Sequence, residues 1–81
     1  MKKIFESPLN GWDESATKVY VYALENDDEY WELEEMDWHE RCNYFNVQEE
    51  TYVAPGAVYH RYDFILQGNH MIMYETIAFN V

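Results

Sequence analysis

Residues 58–79, VYHRYDFILQGNHMIMYETIAF, read as two strands joined by a turn. From Val58 to Leu66 the side chains alternate with the period of two that a half-buried strand requires. Gln67-Gly68-Asn69 has the composition of a turn, and the residues after it continue in an extended pattern. This stretch predicts a C-terminal β-hairpin, and the hairpin determines where the rest of the chain must pack.

The length of the turn sets the predicted register of this hairpin. A three-residue loop pairs Leu66 with His70, and this pairing places Arg61 opposite Glu75. Such an opposite-charge pair stabilises a sheet by about 0.2–1 kcal/mol. The same register predicts one sheet face that contacts the helices, made of Tyr62, Phe64, Ile72 and Tyr74.

Residues 12–24 admit two interpretations. The β-branched and aromatic residues of the segment 18–24 favour a strand. Acidic residues before this stretch and helix-like sequence after it favour a helix, with Asp13 or Ser15 as the N-cap. We expect the helix, because the apolar residues also fit one helical face: Trp12, Ala16, Val19 or Tyr20, Ala23 and Leu24.

Local signals predict two more helices. Asn26-Asp27-Asp28 interrupts the chain and can cap the helix-prone segment Glu29–Glu35. Asp37, followed by Glu40 three residues later, has the pattern of a capping box. It predicts a second helix, Trp38–Phe45.

The fold class that follows is α+β, in one domain spanning residues 1–81. A helical N-terminal half packs on one face of a small antiparallel sheet of about three strands, with the hairpin at the C-terminus. Thr51-Tyr52-Val53 supplies the third strand before Pro55-Gly56 ends it, and the first 11 residues form an edge strand or an arm. The aromatic residues, 19% of the chain, supply enough apolar surface for a small core.

The acidic residues are the strongest functional signal. Sixteen Asp and Glu face five Lys and Arg, giving a formal net charge of -11, and no basic residue occurs from Val19 to Glu40. Self-repulsion destabilises a compact fold, so such an excess indicates a surface for a positively charged partner. The candidate partner-binding residues are Glu25, Asp27, Asp28, Glu29, Glu32, Glu34 and Glu35, with the aromatic residues Tyr30 and Trp31.

The chemistry of this run favours a protein partner over a nucleic acid or a membrane. Carboxylates four residues apart on a helix stand about 5–6 Å apart at Cβ, not far from the phosphate spacing along a nucleic-acid strand. A protein groove lined with Lys and Arg attracts such a row, and aromatic side chains stack beside Arg. Nucleic acids and anionic membranes are repelled. The alternative interpretation is a solvated face that supplies solubility alone.

Catalytic and metal-binding signals are weak, and we expect no catalytic residue and no cofactor. His39 and Cys42 are three residues apart, and His60 and His70 fall on the two hairpin arms, but zinc sites usually show paired ligands at short spacing. His39 can touch the Cys42 thiol if both lie on one helix, but no orienting third group or oxyanion donor is evident. The lone Cys42 also argues against a disulfide-stapled secreted scaffold, and without an apolar leader or membrane span we expect a cytoplasmic location.

In length, composition and the acidic cluster at Glu25–Glu40, the chain resembles the small acidic proteins that bacteriophages and mobile elements direct against host defences. These anti-CRISPR and anti-restriction proteins, several of them DNA mimics, share no common fold, so the resemblance assigns no residue a role. It implies a non-enzymatic, stoichiometric inhibitor that occupies a nucleic-acid site on a bacterial nuclease or effector complex. The alternative is a small interaction module or adaptor whose aromatic residues make a homodimer or a heteromeric contact.

Overall fold

The computed structural model describes residues 1–11, 14–52 and 58–79. The strands and helices follow one another as β1 (Lys2–Glu6), β2 (Ser15–Ala23), α1 (Asp27–Glu35), α2 (Trp38–Phe45), β3 (Glu50–Tyr52), β4 (Val58–Gln67) and β5 (His70–Phe79). The five strands form one sheet of order β1-β2-β5-β4-β3, in which each neighbouring pair is antiparallel. The two helices pack on one face of this sheet, where Phe45 of α2 stacks on Phe64 of β4 at a centroid distance of 5.1 Å.

The predicted helical N-terminal half and three-stranded sheet are wrong. Ser15 begins strand β2 and caps no helix, while Trp12 and Asp13 lie outside the described residues. β2 pairs over its whole length with β5 and, on its other side, with β1. Because two neighbours satisfy its backbone groups, the strand propensity of Val19–Tyr22 prevails over the helical spacing of the apolar residues.

The hairpin forms, but its predicted register is wrong by one residue. Gln67 pairs directly with His70, so the connection has two residues instead of three. Gly68 takes a positive φ of 58°, which suits the first central position of a tight hairpin turn. The shift separates Arg61 from Glu75, because the two residues now lie on opposite faces of the sheet.

The one-residue shift also changes which β5 side chains face the helices. Met71 and Met73 face the helices and are buried, with exposed fractions of 0% and 5%. Ile72 and Tyr74, predicted to share a face with Tyr62 and Phe64, lie on the opposite face. Side chains alternate along a strand, so one step in register reverses the face of every residue on it.

The prediction for α2 is confirmed, including its bounds. The Asp37 carboxylate accepts a hydrogen bond from the Glu40 amide at 2.8 Å, and the reciprocal Glu40 contact completes the capping box. Asn46, in the left-handed conformation with φ of 56°, ends the helix. The predicted edge strand and the predicted short strand near Thr51 are also present, as β1 and β3, while Val53 and Pro55-Gly56 lie outside the described residues.

Candidate binding surface

Helix α1 carries most of the predicted partner-binding residues and is fixed at both ends. Its N-cap is Asn26, whose side-chain oxygen accepts a hydrogen bond from the Glu29 amide at 2.9 Å. The acidic first turn interacts favourably with the positive end of the helix dipole. At the other end, the Arg41 guanidinium donates two hydrogen bonds to the Leu33 carbonyl, at 3.1 and 2.9 Å. Arg41 therefore supplies the positive charge that the last turn of α1 lacks.

Leu33 attaches α1 to the rest of the protein. Its side chain is 0% exposed, and it is the buried residue of the helix. Because one narrow apolar stripe faces inward, the remaining sides of the helix face solvent. The exposed acidic residues of α1 are Asp27, Asp28, Glu32, Glu34 and Glu35.

Two of the predicted acidic residues also have a structural role. Glu29 accepts a hydrogen bond from the Met1 ammonium group at 3.1 Å, and Glu25 lies 3.4 Å from the same group. The hydrogen bond to Glu29 is the main reason why the pKa of the Met1 amine is raised. Glu29 is also largely covered, with 15% of its side chain exposed. The two carboxylates thus hold the start of the chain against the start of α1. Glu25, by contrast with Glu29, is 70% exposed and stays on the outer surface.

The cations of the described residues lie away from the outer side of α1. Lys3 and Lys18 both contact the Glu6 carboxylate, at 2.6 and 2.7 Å, and these contacts lower the pKa of Glu6 to about 2. Arg61 binds Asp63 at 3.0 Å on β4. No ion pair within residues 1–11, 14–52 and 58–79 neutralises the five exposed carboxylates of α1.

The field of α1 reaches the neighbouring helix. The pKa of Tyr44 on α2 is raised, first by burial and then by the negative charges of Glu29, Glu32 and Glu25. Tyr44 is itself 42% exposed, so it borders the same surface. The charges of α1 are therefore felt at the position of Tyr44 on α2.

The two predicted aromatic residues take different positions. Trp31 is 61% exposed, whereas Tyr30 is half-buried and meets the Trp31 ring edge-on at 5.2 Å. Beside them an open groove of about 550 Å³ separates the start of α1 from the turn of the β4–β5 hairpin. Its lining combines acidic, aromatic and polar residues: Leu24, Glu25, Asn26, Asp27, Tyr30, Trp31, Gly68 and Asn69. Carboxylates beside aromatic rings are suited to a guanidinium or ammonium group.

The residues considered for metal binding or catalysis do not converge. His39 is mostly exposed and pairs with Glu49, while burial raises the pKa of the Cys42 thiol and makes it a poor nucleophile. Cys42 is fully buried and free, as expected for a small core residue. The part of the chain that the structure describes contains no cluster of three His, Cys, Asp or Glu side chains able to hold a metal ion.

A polar cluster centred on Glu75 was not predicted from the sequence. Its carboxylate accepts hydrogen bonds from the Tyr20 and Tyr62 hydroxyls, at 2.7 and 2.9 Å, and lies 2.8 Å from Nε2 of His60. Burial raises the pKa of Glu75, but the three hydrogen bonds outweigh it and the net shift is downward. Burial, and then the hydrogen bond to Glu75, raise the pKa of Tyr62 to about 12. Each polar atom of Glu75 is satisfied internally, so the cluster ties β2, β4 and β5 together.

The fold and the site together define a small antiparallel sheet protein with an acidic helical layer on one side. No family model, no curated protein and no solved structure matches this chain. Among the residues that the structure describes, neither helix has the length or the apolar character needed to cross a membrane.

Proposed function

We propose that this chain is a non-enzymatic inhibitor that binds the basic, nucleic-acid-binding surface of another protein through helix α1. The observation that carries the proposal is the outer side of α1, where five exposed carboxylates have no basic partner among the described residues. Within the described residues these carboxylates form no ion pair, and those of the first turn interact favourably with the helix dipole. A partner rich in Lys and Arg gives them the counter-charges they lack.

The arrangement of the carboxylates supports competition with a nucleic acid. Asp28, Glu32 and Glu35 follow one another at four- and three-residue intervals, so they lie along one side of the helix. At a rise of 1.5 Å per residue they span about 10 Å of the helix axis. A row of negative charges of this length can occupy the positions that successive phosphates take on a partner's Lys and Arg.

Trp31 adds a contact that charge alone does not supply. Its exposed ring borders the groove that contains Glu25 and Asp27. An Arg side chain entering this groove can stack on an aromatic ring while a carboxylate accepts its hydrogen bonds. Aromatic residues and Arg dominate binding energy at many protein interfaces. The proposed surface therefore has an aromatic anchor beside an acidic row. The proposed target is a nuclease or effector complex of a defence system in a bacterial host cell.

Capture of partners from a bacterial lysate tests this proposal. The immobilised chain is compared with the variant Asp28→Asn, Glu32→Gln, Glu35→Gln, and the retained proteins are identified by mass spectrometry. We expect the unchanged chain to retain nucleic-acid-binding proteins that are released by added DNA or RNA and are lost with the variant. Retention of the same proteins by both forms, unaffected by nucleic acid, contradicts the proposal and favours the adaptor alternative.

A further inference from the structure

The sheet face opposite the helices, here called the open face, carries an apolar row. Strand register places four side chains next to one another across β1, β2, β5 and β4: Phe5, Val21, Ile72 and Ile65. Phe5 and Ile65, at the two ends of the row, are 54% and 50% exposed. The ring contacts of α2 with Tyr22 and Phe64 lie on the other face. α2 reaches the open face at its margin, where the Arg61 guanidinium lies 4.2 Å from the centre of the Trp38 ring.

The centre of the open face is uncharged, although the chain has a net charge of -11. Next to the apolar row, Val19 pairs with Tyr74, and Thr17 pairs with Thr76 one step further. The charged residues of this face lie towards its margins: Lys2, Glu50, Arg61 and Asp63. Arg61 already binds Asp63 and Glu50, at 3.0 and 3.4 Å.

We propose that the open face is the interface of a homodimer in which two copies pack their sheets face to face. The distribution of charge favours a second copy as the occupant. The exposed acidic residues of α1 lie on the helical side of the sheet, so face-to-face packing puts the two acidic layers on opposite outer sides of the dimer. Association through the helical side would instead bring two strongly negative surfaces together.

The area of the open face fits a stable dimer. β2, β4 and β5 have 9 or 10 residues each. At about 3.3 Å per residue and about 4.8 Å between strands, these three strands and β1 cover a flat area of about 550 Å². The relief of the side chains raises the accessible area towards the value of about 800 Å² per partner that is typical of specific interfaces.

The apolar row is compatible with two-fold symmetry. We consider a two-fold axis that runs parallel to the strands and through the middle of the row. With this axis, the row of one copy meets the row of the second copy in the opposite order. Phe5 of one copy then covers Ile65 of the second copy, and Val21 covers Ile72. Both contacts are apolar, as a self-complementary interface requires, and sheets packed in this way are about 10 Å apart.

Pairing through sheet edges is a less favourable route to a dimer. The outer strand β1 has five residues, all exposed, and begins with Lys2 and Lys3. Lysines on an edge strand oppose the addition of another strand. At the other edge, β3 has three residues and offers few backbone groups.

The test is the mass in solution, measured by light scattering or sedimentation. We expect twice the 9.8 kDa of one chain, and a monomer for the double variant Phe5→Lys, Ile65→Lys with an unchanged circular dichroism spectrum. Phe5 and Ile65 face each other across the proposed interface, so replacing both with charged residues weakens dimerisation by about 100-fold or more. The matched control is Tyr44→Lys, which replaces an exposed aromatic residue on the helical side and leaves the dimer intact. A monomeric unchanged chain, or a double variant that is still a dimer, overturns the proposal.

Footprinting uses only the unchanged chain, so its result does not depend on whether a variant folds. Hydroxyl-radical labelling is compared between dilute and concentrated protein. We expect Phe5, Ile65 and Tyr74 to lose labelling as concentration rises, while Trp31 and Tyr44 keep theirs. Equal labelling of Phe5 and Ile65 at every concentration contradicts a homodimer and leaves the open face to a different chain.

Discussion

The hydrogen-bond cluster at Glu75 gives a sharp prediction for stability. Tyr20→Phe and Tyr62→Phe each remove one hydroxyl that donates to the same carboxylate, at 2.7 and 2.9 Å. A hydrogen bond to a charged group contributes about 1.5–3 kcal/mol. Each change leaves the other phenol and His60 in place, so we expect the lower end of this range, about 1.5 kcal/mol per variant.

The pH dependence of stability follows from the lowered pKa of Glu75. A carboxyl group whose pKa is lower in the folded state stabilises the fold above its unfolded pKa of about 4.3. That contribution is lost as pH falls from this value through the folded pKa. We therefore expect the loss of stability on acidification to be smaller in Glu75→Gln, because this variant has no carboxylate to protonate at position 75.

The assay is urea unfolding of each variant at neutral pH and at pH values below 4.3, at one fixed protein concentration. The double variant Tyr20→Phe, Tyr62→Phe shows whether the two hydroxyls act on the same group, because their free-energy changes should then not be additive. Losses below about 0.3 kcal/mol for both single variants, with an unchanged acid response of Glu75→Gln, would refute the assigned role of the cluster.

Three further predictions concern the core and the helix caps. Met71→Ala should lower the free energy of unfolding by about 2–5 kcal/mol. Ile72→Ala, one residue away on the open face, should lower it by much less in the dissociated chain. Equal losses in urea titrations would contradict the observed register. Asp37→Ala should cost about 1 kcal/mol through loss of the capping box, and an unchanged melting temperature would argue against it. Cys42→Ser should lower the melting temperature and leave partner binding unchanged, and loss of binding in a folded variant would assign the thiol a direct role.

Sequence reasoning succeeded where the determining contacts are local. The Asp37–Glu40 capping box lies within four residues, and it marked the start of α2. The break at Asn26-Asp27-Asp28 likewise marked the start of α1, although the helix begins at Asp27, two residues before the predicted Glu29. Such signals can be read from sequence because the donor and the acceptor are close along the chain.

The failures concern pairings between distant residues. Ser15–Ala23 becomes a strand because it pairs with β5, and its contact from Tyr20 to Glu75 spans 55 positions. No local pattern reports such a partner, and the apolar spacing fitted both periods. The register of the hairpin depended on whether the turn has two or three residues. Because three residues were assumed, the side chains of β5 were assigned to the wrong faces, and neither the Glu75 cluster nor the open face could be predicted.

For the candidate site, the sequence located the acidic run but not the role of each residue. It could not separate Glu29, which binds the Met1 amine, from Glu32, which faces solvent. It also gave no sign that Arg41 would bind the end of α1. These distinctions depend on which side of the helix contacts the rest of the fold, and Leu33 defines that side only after α1 has packed.

The structure also dictates how the acidic surface must be tested. Glu25 and Glu29 contact the Met1 amine, so neutralising them would remove these contacts as well as surface charge. Asp28, Glu32 and Glu35 are exposed and make no ion pair within the described residues. Replacing them with Asn and Gln removes like-charge repulsion that costs about 0.2–0.5 kcal/mol per pair, so the variant should be at least as stable as the unchanged chain.

The matched control neutralises the same number of charges elsewhere. Glu14→Gln, Glu40→Gln and Glu49→Gln give an equal net charge, and Gln at position 40 still satisfies a capping box. The ion pair of Glu49 with His39 is lost, but an exposed pair of this kind contributes little to stability. The two triple variants therefore differ in where the charge was removed.

The most direct measurement of the central claim is the affinity of a captured partner for the unchanged chain and for these two triple variants, at about 0.1 M and about 1 M salt, where the Debye length falls from about 10 Å to about 3 Å. If α1 presents the binding surface, its triple variant binds the partner at least about tenfold more weakly than the unchanged chain at low salt. The control variant keeps an affinity within about twofold of the unchanged chain. At high salt the affinities of the unchanged chain and the α1 variant move closer together. Equal affinities for the two triple variants, with both folds intact, would contradict the claim that the carboxylates of α1 form the binding surface.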